Sequence, residues 1–194
     1  MSVIVLFLNV AAMAADDTAV YKIQPEDGAS MALTVAKTGL LSGKKHLFTF
    51  SRYAGTLQFN RQRLEHSTVQ LSISAASIEC KDTWIGEKDR KKVMDVALND
   101  MLGASQHPEI VFRSTGIQGS EPLQVEGELT IRGRTKPVAV NVAVDMRQND
   151  RLIVRGEARM RLTDYGLKPP STAFGAVGTK DEMLLIFTVV ARRE

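Results

Sequence analysis

Histidine is the side chain best placed to move protons or hold a metal near neutral pH, and this chain has three: His46, His66 and His107. They stand far apart and lack the i, i+4 spacing of a helical zinc site, so they read as surface or turn residues and suggest no metal site. Nucleophile signals are equally sparse. No Gly-x-Ser-x-Gly elbow is present, and Gly175-Ala176-Val177-Gly178 has neither the spacing nor the lysine of a phosphate-binding loop. Glu126/Glu128 and Glu79/Asp82 are carboxylate pairs, but the first alternates with apolar residues and so falls on the wet face of a strand. Cys80 is the sole cysteine and ends a strand-like run, where a small buried hydrophobe is the expected role and no internal disulfide can form. With no catalytic constellation, the expectation is a protein that is not an enzyme and has no cofactor, and the apolar side chains become the candidate working surface.

Those side chains follow a period of two. Leu123/Val125/Gly127/Leu129/Ile131 alternate with polar residues. Val138/Val140/Val142/Val144/Met146 repeat the pattern after Gly133-Arg134-Thr135-Lys136-Pro137, read as the turn. Successive side chains on a strand point to opposite faces, so each run has one dry and one wet face, and the pair reads as an antiparallel hairpin. The same alternation marks Met31/Leu33/Val35, Val69/Leu71/Ile73 and Leu152 to Leu162, and Met183 to Ala191 closes the chain as an apolar strand. Between His46 and Phe59 the apolar parity shifts from even to odd, which predicts a bend or bulge near Ser51 to Tyr53. Only Thr83 to Ser105 departs from this rhythm. There Val93, Met94, Ala97, Leu98, Met101 and Leu102 recur at threes and fours before Gly103, predicting one helix, or two short ones with Asp95 capping the second.

About eight strands with short turns, and one or two short helices between them, predict an all-β, antiparallel eight-stranded barrel. A barrel of that size is either packed by its own side chains or wide enough for one small ligand. Alternation alone does not choose. Two features lean toward a cavity: aromatic residues are only 6%, and Gly127, Gly156 and Ala158 fall on the inward parity.

A chain of 194 residues with 24% charged and 44% hydrophobic residues suits one domain with a buried core. A net charge of +3, without a concentrated patch, argues against a nucleic-acid partner. Residues 1–14 end in Ala12-Met13-Ala14, the small-x-small form of a signal-peptide cleavage site, although no Lys or Arg precedes the apolar run. Export to the periplasm or outside the cell is the expectation, with a single domain over residues 15–194. The leading apolar run is too short to cross a bilayer, which takes about 20 residues, so stable membrane insertion is not expected.

Four segments carry a resemblance: Tyr21-Lys22-Ile23; Ser67 to Ile78; Leu98 to Leu102 followed by His107-Pro108-Glu109-Ile110-Val111-Phe112-Arg113-Ser114; and Gly127 to Val138. In order and spacing they resemble the YceI-like family of exported bacterial proteins. The resemblance implies a lipocalin-like barrel that holds a polyisoprenoid or other long-chain lipid, and it implies no catalytic residue. The chain departs from the family at Lys37, where His is common, and at Asp100-Met101, where Asp-Phe is common.

Under that resemblance, strand parity selects Phe48, Phe50, Val69, Leu71, Ile73, Leu129, Val140, Val142, Met160 and Phe187 as lining. The flanking segments add Leu40, Leu41, Trp84, Met94, Leu98 and Phe174 at an end. An isoprenoid such as a polyprenyl phosphate or a quinone would be a ligand rather than a cofactor. Two other readings stand beside the carrier. One is an enzyme or redox partner of an isoprenoid quinone, with His46 or His107 at the pocket mouth; the other is a filled barrel serving as a stress-related interaction module. The pattern leaves a homodimer open.

Overall fold

In the computed structural model, residues 18–194 are described, and the expected leader at 1–14 lies outside the described residues. Twelve strands form one antiparallel sheet: β1 (Thr18–Ile23), β2 (Ser30–Gly39), β3 (Lys45–Phe50), β4 (Tyr53–Asn60), β5 (Thr68–Ser74), β6 (Ile78–Cys80), β7 (Glu109–Gln118), β8 (Leu123–Ile131), β9 (Arg134–Asp145), β10 (Arg151–Arg161), β11 (Ser171–Thr172) and β12 (Val177–Arg193). Eight of them close a ring in the order β1-β4-β5-β7-β8-β9-β10-β12, and β12 returns to β1 through Tyr21↔Arg193 and Ile23↔Ala191. This is the eight-stranded antiparallel barrel that the alternation predicts.

The remaining strands extend one end. β12 is 17 residues long, and a single edge of it pairs first with β2, from Val177↔Gly39 to Thr188↔Ser30, and then with β1. β1 and β2 therefore run end to end along that edge, separated by residues 24–29. Beyond β2 the sheet continues through β3 to β6.

Parity is plainest on β8. On β8, Leu123, Val125, Gly127, Leu129 and Ile131 are buried while Gln124, Glu126 and Glu128 are exposed. The parity shift after His46 marks a change of sheet neighbours: β3 lies between β2 and β6, β4 lies between β1 and β5, and Ser51-Arg52 joins them. The β8–β9 turn is shorter than expected. Ile131 already pairs with Arg134, so Arg132 and Gly133 alone make the turn, both at positive φ (49° and 70°), and Thr135 to Pro137 belong to β9. Two positive-φ residues match the right-handed twist of a tight hairpin.

The helical segment is one α-helix, α1 (Glu87–Asp95), continuing directly into a π-helical turn over Val96–Leu102 that Gly103 ends. Asp95 caps nothing, because its backbone is already helical (φ −60°, ψ −46°) and its side chain makes no capping bond. Val93, Met94, Leu98, Met101 and Leu102 turn their apolar sides toward the barrel core.

Candidate functional site

The barrel interior holds two chambers. The larger, about 580 Å³, occupies the extended end. The smaller, about 130 Å³, lies inside the closed ring. They abut at Ile73, Leu129, Met160 and Leu185, which line both. A chamber of 580 Å³ falls within the range of small-molecule sites.

Strand parity places the narrow chamber's walls. Val69, Leu71, Val140, Val142 and Phe187 line it, and among its lining residues Ser67 alone is polar. Gly127 and Gly156 do not open space here, contrary to expectation. A Cβ on Gly127 would lie 2.5 Å from the ring of Phe112, and one on Gly156 would lie 2.5 Å from the ring of Phe187. The glycines make room for two phenyl rings, which is why this chamber is small.

The wide chamber is lined by Leu41, Phe48, Phe50 and Trp84 among others, with α1 and residues 162–179 over its end. Its wall also carries polar groups: Lys37, His46, Asp89, Lys92, Ser171, Thr172 and Thr179. Among them Asp89, Lys92, Ser171 and Thr172 are exposed and mark where the chamber meets solvent.

Four expected lining residues are placed elsewhere. Leu40 and Phe174 do not close the end; they project into water, 82% and 112% exposed, because each sits at a turn tip. Met94 and Leu98 pack against the core from α1 and the π turn, outside both chambers, since the π turn rotates Val96, Ala97 and Met101 to the wall instead. Met94 Sδ instead accepts the backbone N–H of Cys80 (3.2 Å).

His46 corrects the reading of the histidines. It is buried, 7% exposed, in the chamber wall, and its Nδ1 lies 2.5 Å from Asp82 Oδ2, where the ring N–H donates to the carboxylate. Asp82 is buried as well and accepts the Leu47 N–H at Oδ1 (2.8 Å). The Cys80 thiol lies close by, its Sγ within 4.8 Å of the carboxylate, and burial pushes its pKa up. Donors thus converge on one buried charge, as its desolvation requires. Trp84 shields this cluster, its ring centroid 5.5 Å from that of His46 and its Nε1–H donating to the Lys45 carbonyl (3.0 Å).

His46, Cys80 and Asp82 also present one ligand atom each within 4.8 Å of one another, so among the described residues they are the set that could hold a metal ion. His46 shares inward parity with Phe48 and Phe50, a signal that could have found it. Asp82 lies in a loop, where parity is silent. Lys37 carries the same inward parity as Val35, and burial lowers its pKa. His107 flanks the β8–β9 turn beside Gly133, and His66 is exposed; neither lines a chamber.

The chain is 28% identical over 129 residues to a UPF0312 protein of Pseudomonas savastanoi pv. phaseolicola, a match covering 63% of this chain and 64% of that protein, so the chain spans just under two thirds of the relative's length. Among solved structures it resembles Burkholderia cenocepacia BcnA, with a TM-score of 0.63 and 19% identity over 82% of this chain and 95% of the other. A polyisoprenoid binding domain from Saccharophagus degradans gives a TM-score of 0.63 at 10% identity, over 89% and 98% of the two chains. These likenesses show a shared fold. A family model described as the YceI-like domain matches residues 21–191, nearly all of what the barrel comprises, and the chain belongs to that family.

Proposed function

We propose that this protein binds a polyisoprenoid or another long-chain lipid in the paired chambers, as a carrier, store or sequestering protein of the periplasm or extracellular space. The observation that carries the reading is the change of lining along one axis: an almost wholly apolar chamber of about 130 Å³ leads into one of about 580 Å³ whose wall bears two lysines, a buried histidine, an aspartate and hydroxyls. An amphiphile fits such a gradient with its tail inward and its polar head at the wide end. Burial of apolar surface at about 25 cal/mol per Å² supplies affinity with few polar contacts. The likeness in fold to the polyisoprenoid binding domain from Saccharophagus degradans supports the same ligand class.

The reading does not invoke catalysis. His46 keeps the quinone alternative in play, because it lines the chamber with its ring held by Asp82. The filled-barrel alternative requires an interior without room for an alkyl chain, which a chamber of about 580 Å³ does not meet.

Native mass spectrometry of gently extracted protein, with thermal melting in the presence of an added long-chain polyprenol, tests the proposal. Bound lipid, a raised melting temperature and altered emission from Trp84 are expected. No copurified lipid, no thermal shift and unchanged emission would refute it. Turnover of a quinone that is lost in His46→Gln would favour the alternative.

A further inference from the structure

Among the described residues only three large apolar side chains are strongly exposed: Leu40, Phe174 and Ile186. Two of the three stand together. Leu40 is in the β2–β3 turn and Phe174 in the β11–β12 turn, and the two turns are joined by the Leu40 N–H donating to the Ala176 carbonyl (2.9 Å) and by the pairing of Gly39 with Val177. A Cβ at Gly39 would collide with that carbonyl, so glycine lets the turns approach this closely. Phe174 takes the left-handed backbone region (φ 54°), uncommon for a bulky residue, and its ring stands fully in water.

The same turns border the wide chamber, since Leu41, Ser171, Thr172 and Val177 line it. They are also basic. Residues 37–45 and 166–180 contain five lysines, at 37, 44, 45, 168 and 180, and no carboxylate. Lys44, Lys45, Lys168 and Lys180 are exposed, and none takes part in an ion pair found among the described residues.

From this juxtaposition we infer that the rim of the wide chamber is a docking surface for an anionic lipid bilayer. Leu40 and Phe174 enter the interface while the lysines meet the anionic headgroups. The opposite charges favour a membrane over a protein partner of unspecified surface, and the position beside the chamber brings the cavity to the source of a lipid ligand. The inference uses the lipid-binding reading to explain why docking would be useful, but the docking itself is a property of the surface and is measured separately.

Co-sedimentation with vesicles of phosphatidylcholine and phosphatidylglycerol at 7:3, against phosphatidylcholine alone, tests it on the full chain. The expected result is binding to the anionic vesicles that weakens with salt, falls roughly fivefold for each lysine removed, as in Lys168→Gln or Lys180→Gln, and falls by about tenfold or more in Leu40→Ser/Phe174→Ser. Both apolar side chains already stand in water, so the double variant should melt like the parent. Ile186→Ser, away from the rim on β12, should bind as the parent does. Absence of binding to anionic vesicles, or binding that the double variant retains, overturns the inference. The polyprenol-induced thermal shift, measured without vesicles, reports on the chamber alone. A parent with that shift but no vesicle binding would refute docking and leave lipid binding standing; vesicle binding without the shift would do the reverse.

Discussion

At the narrow end of the barrel, Phe112 and Phe187 fill the space left by Gly127 and Gly156, and side chains from distant parts of the chain join across the exterior. The Tyr21 hydroxyl donates to the Asn149 carbonyl (2.8 Å), Arg61 donates to the Met146 carbonyl (2.7 Å), and Glu26 accepts from Arg192 at 2.6 and 2.8 Å and from Arg151 at 3.4 Å. The wide end keeps the larger chamber beneath α1 and residues 162–179, and its bonds tie that cover down: Asp181 accepts from the Thr163 N–H (2.9 Å) and hydroxyl (2.6 Å), and Arg132 donates to the Asp100 carbonyl. Its wall holds the buried carboxylate of Asp82 with its donors, and its covering turns extend apolar tips into solvent. The difference separates two tasks within one sheet: the narrow end holds the barrel shut, and the wide end keeps a volume available.

The largest effect that would break this contrast is expected at the wide end. Asp82→Ala removes the acceptor shared by the His46 ring and the Leu47 N–H and strands both donors, which should cost about 2–4 kcal/mol. Urea unfolding measures it; a loss below about 1 kcal/mol would mean that the cluster does not hold the wide end together.

Small added volume should then distinguish the chambers. Gly156→Ala places a methyl group 2.5 Å from the Phe187 ring and 2.9 Å from the Asn141 carbonyl, an overpacking expected to cost about 1–3 kcal/mol. Val35→Leu also adds a methylene, but into the wide chamber that Val35 lines, and should cost less than about 1 kcal/mol. Equal losses in the two variants, compared by their urea midpoints, would show that the ends are packed alike.

The smallest effect concerns acid. Arg192 beside Glu26, with help from Arg151, holds the Glu26 pKa below its ordinary 4.5. A carboxylate with a depressed folded pKa contributes stability that is complete above its unfolded value and is lost as pH falls through the folded one. Melting temperature followed from pH 6 downward should therefore fall less steeply below pH 4.5 in Glu26→Gln than in the parent. Identical slopes would exclude Glu26 from the acid response of the narrow end.

Local patterns were legible in the sequence. The alternation of β8, the parity shift after His46 and the threes and fours of Val93 to Leu102 each record a face that must be dry, and each led to the element found. Pairings between distant residues were not. His46 and Asp82 are 36 positions apart, and nothing in either segment shows that β3 and the end of β6 meet. Gly156 illustrates the same limit: an inward glycine reads as empty space until Phe187, opposite it on β12, supplies the ring that occupies that space. Leu40 and Phe174, expected from their flanking segments to close an end, stand in water because turn geometry turns them outward.

The end-to-end arrangement of β1 and β2 along β12 has a consequence for shape. Strands in a sheet keep a nearly constant spacing of about 4.8 Å, so a wall of this kind can grow in girth along its axis only by admitting more strands. At the level of residues 191–193, β12 meets β1 and the circle is complete. Further along, no strand is added: β2, β3 and β6 continue the rows of β1, β4 and β5 past breaks at residues 24–29, 51–52 and 75–77, and β6, paired with β3 alone, no longer reaches β7. The three breaks lie side by side like a fold line, and the wall beyond them parts between β6 and β7, so the vessel opens along a seam rather than by a wider ring.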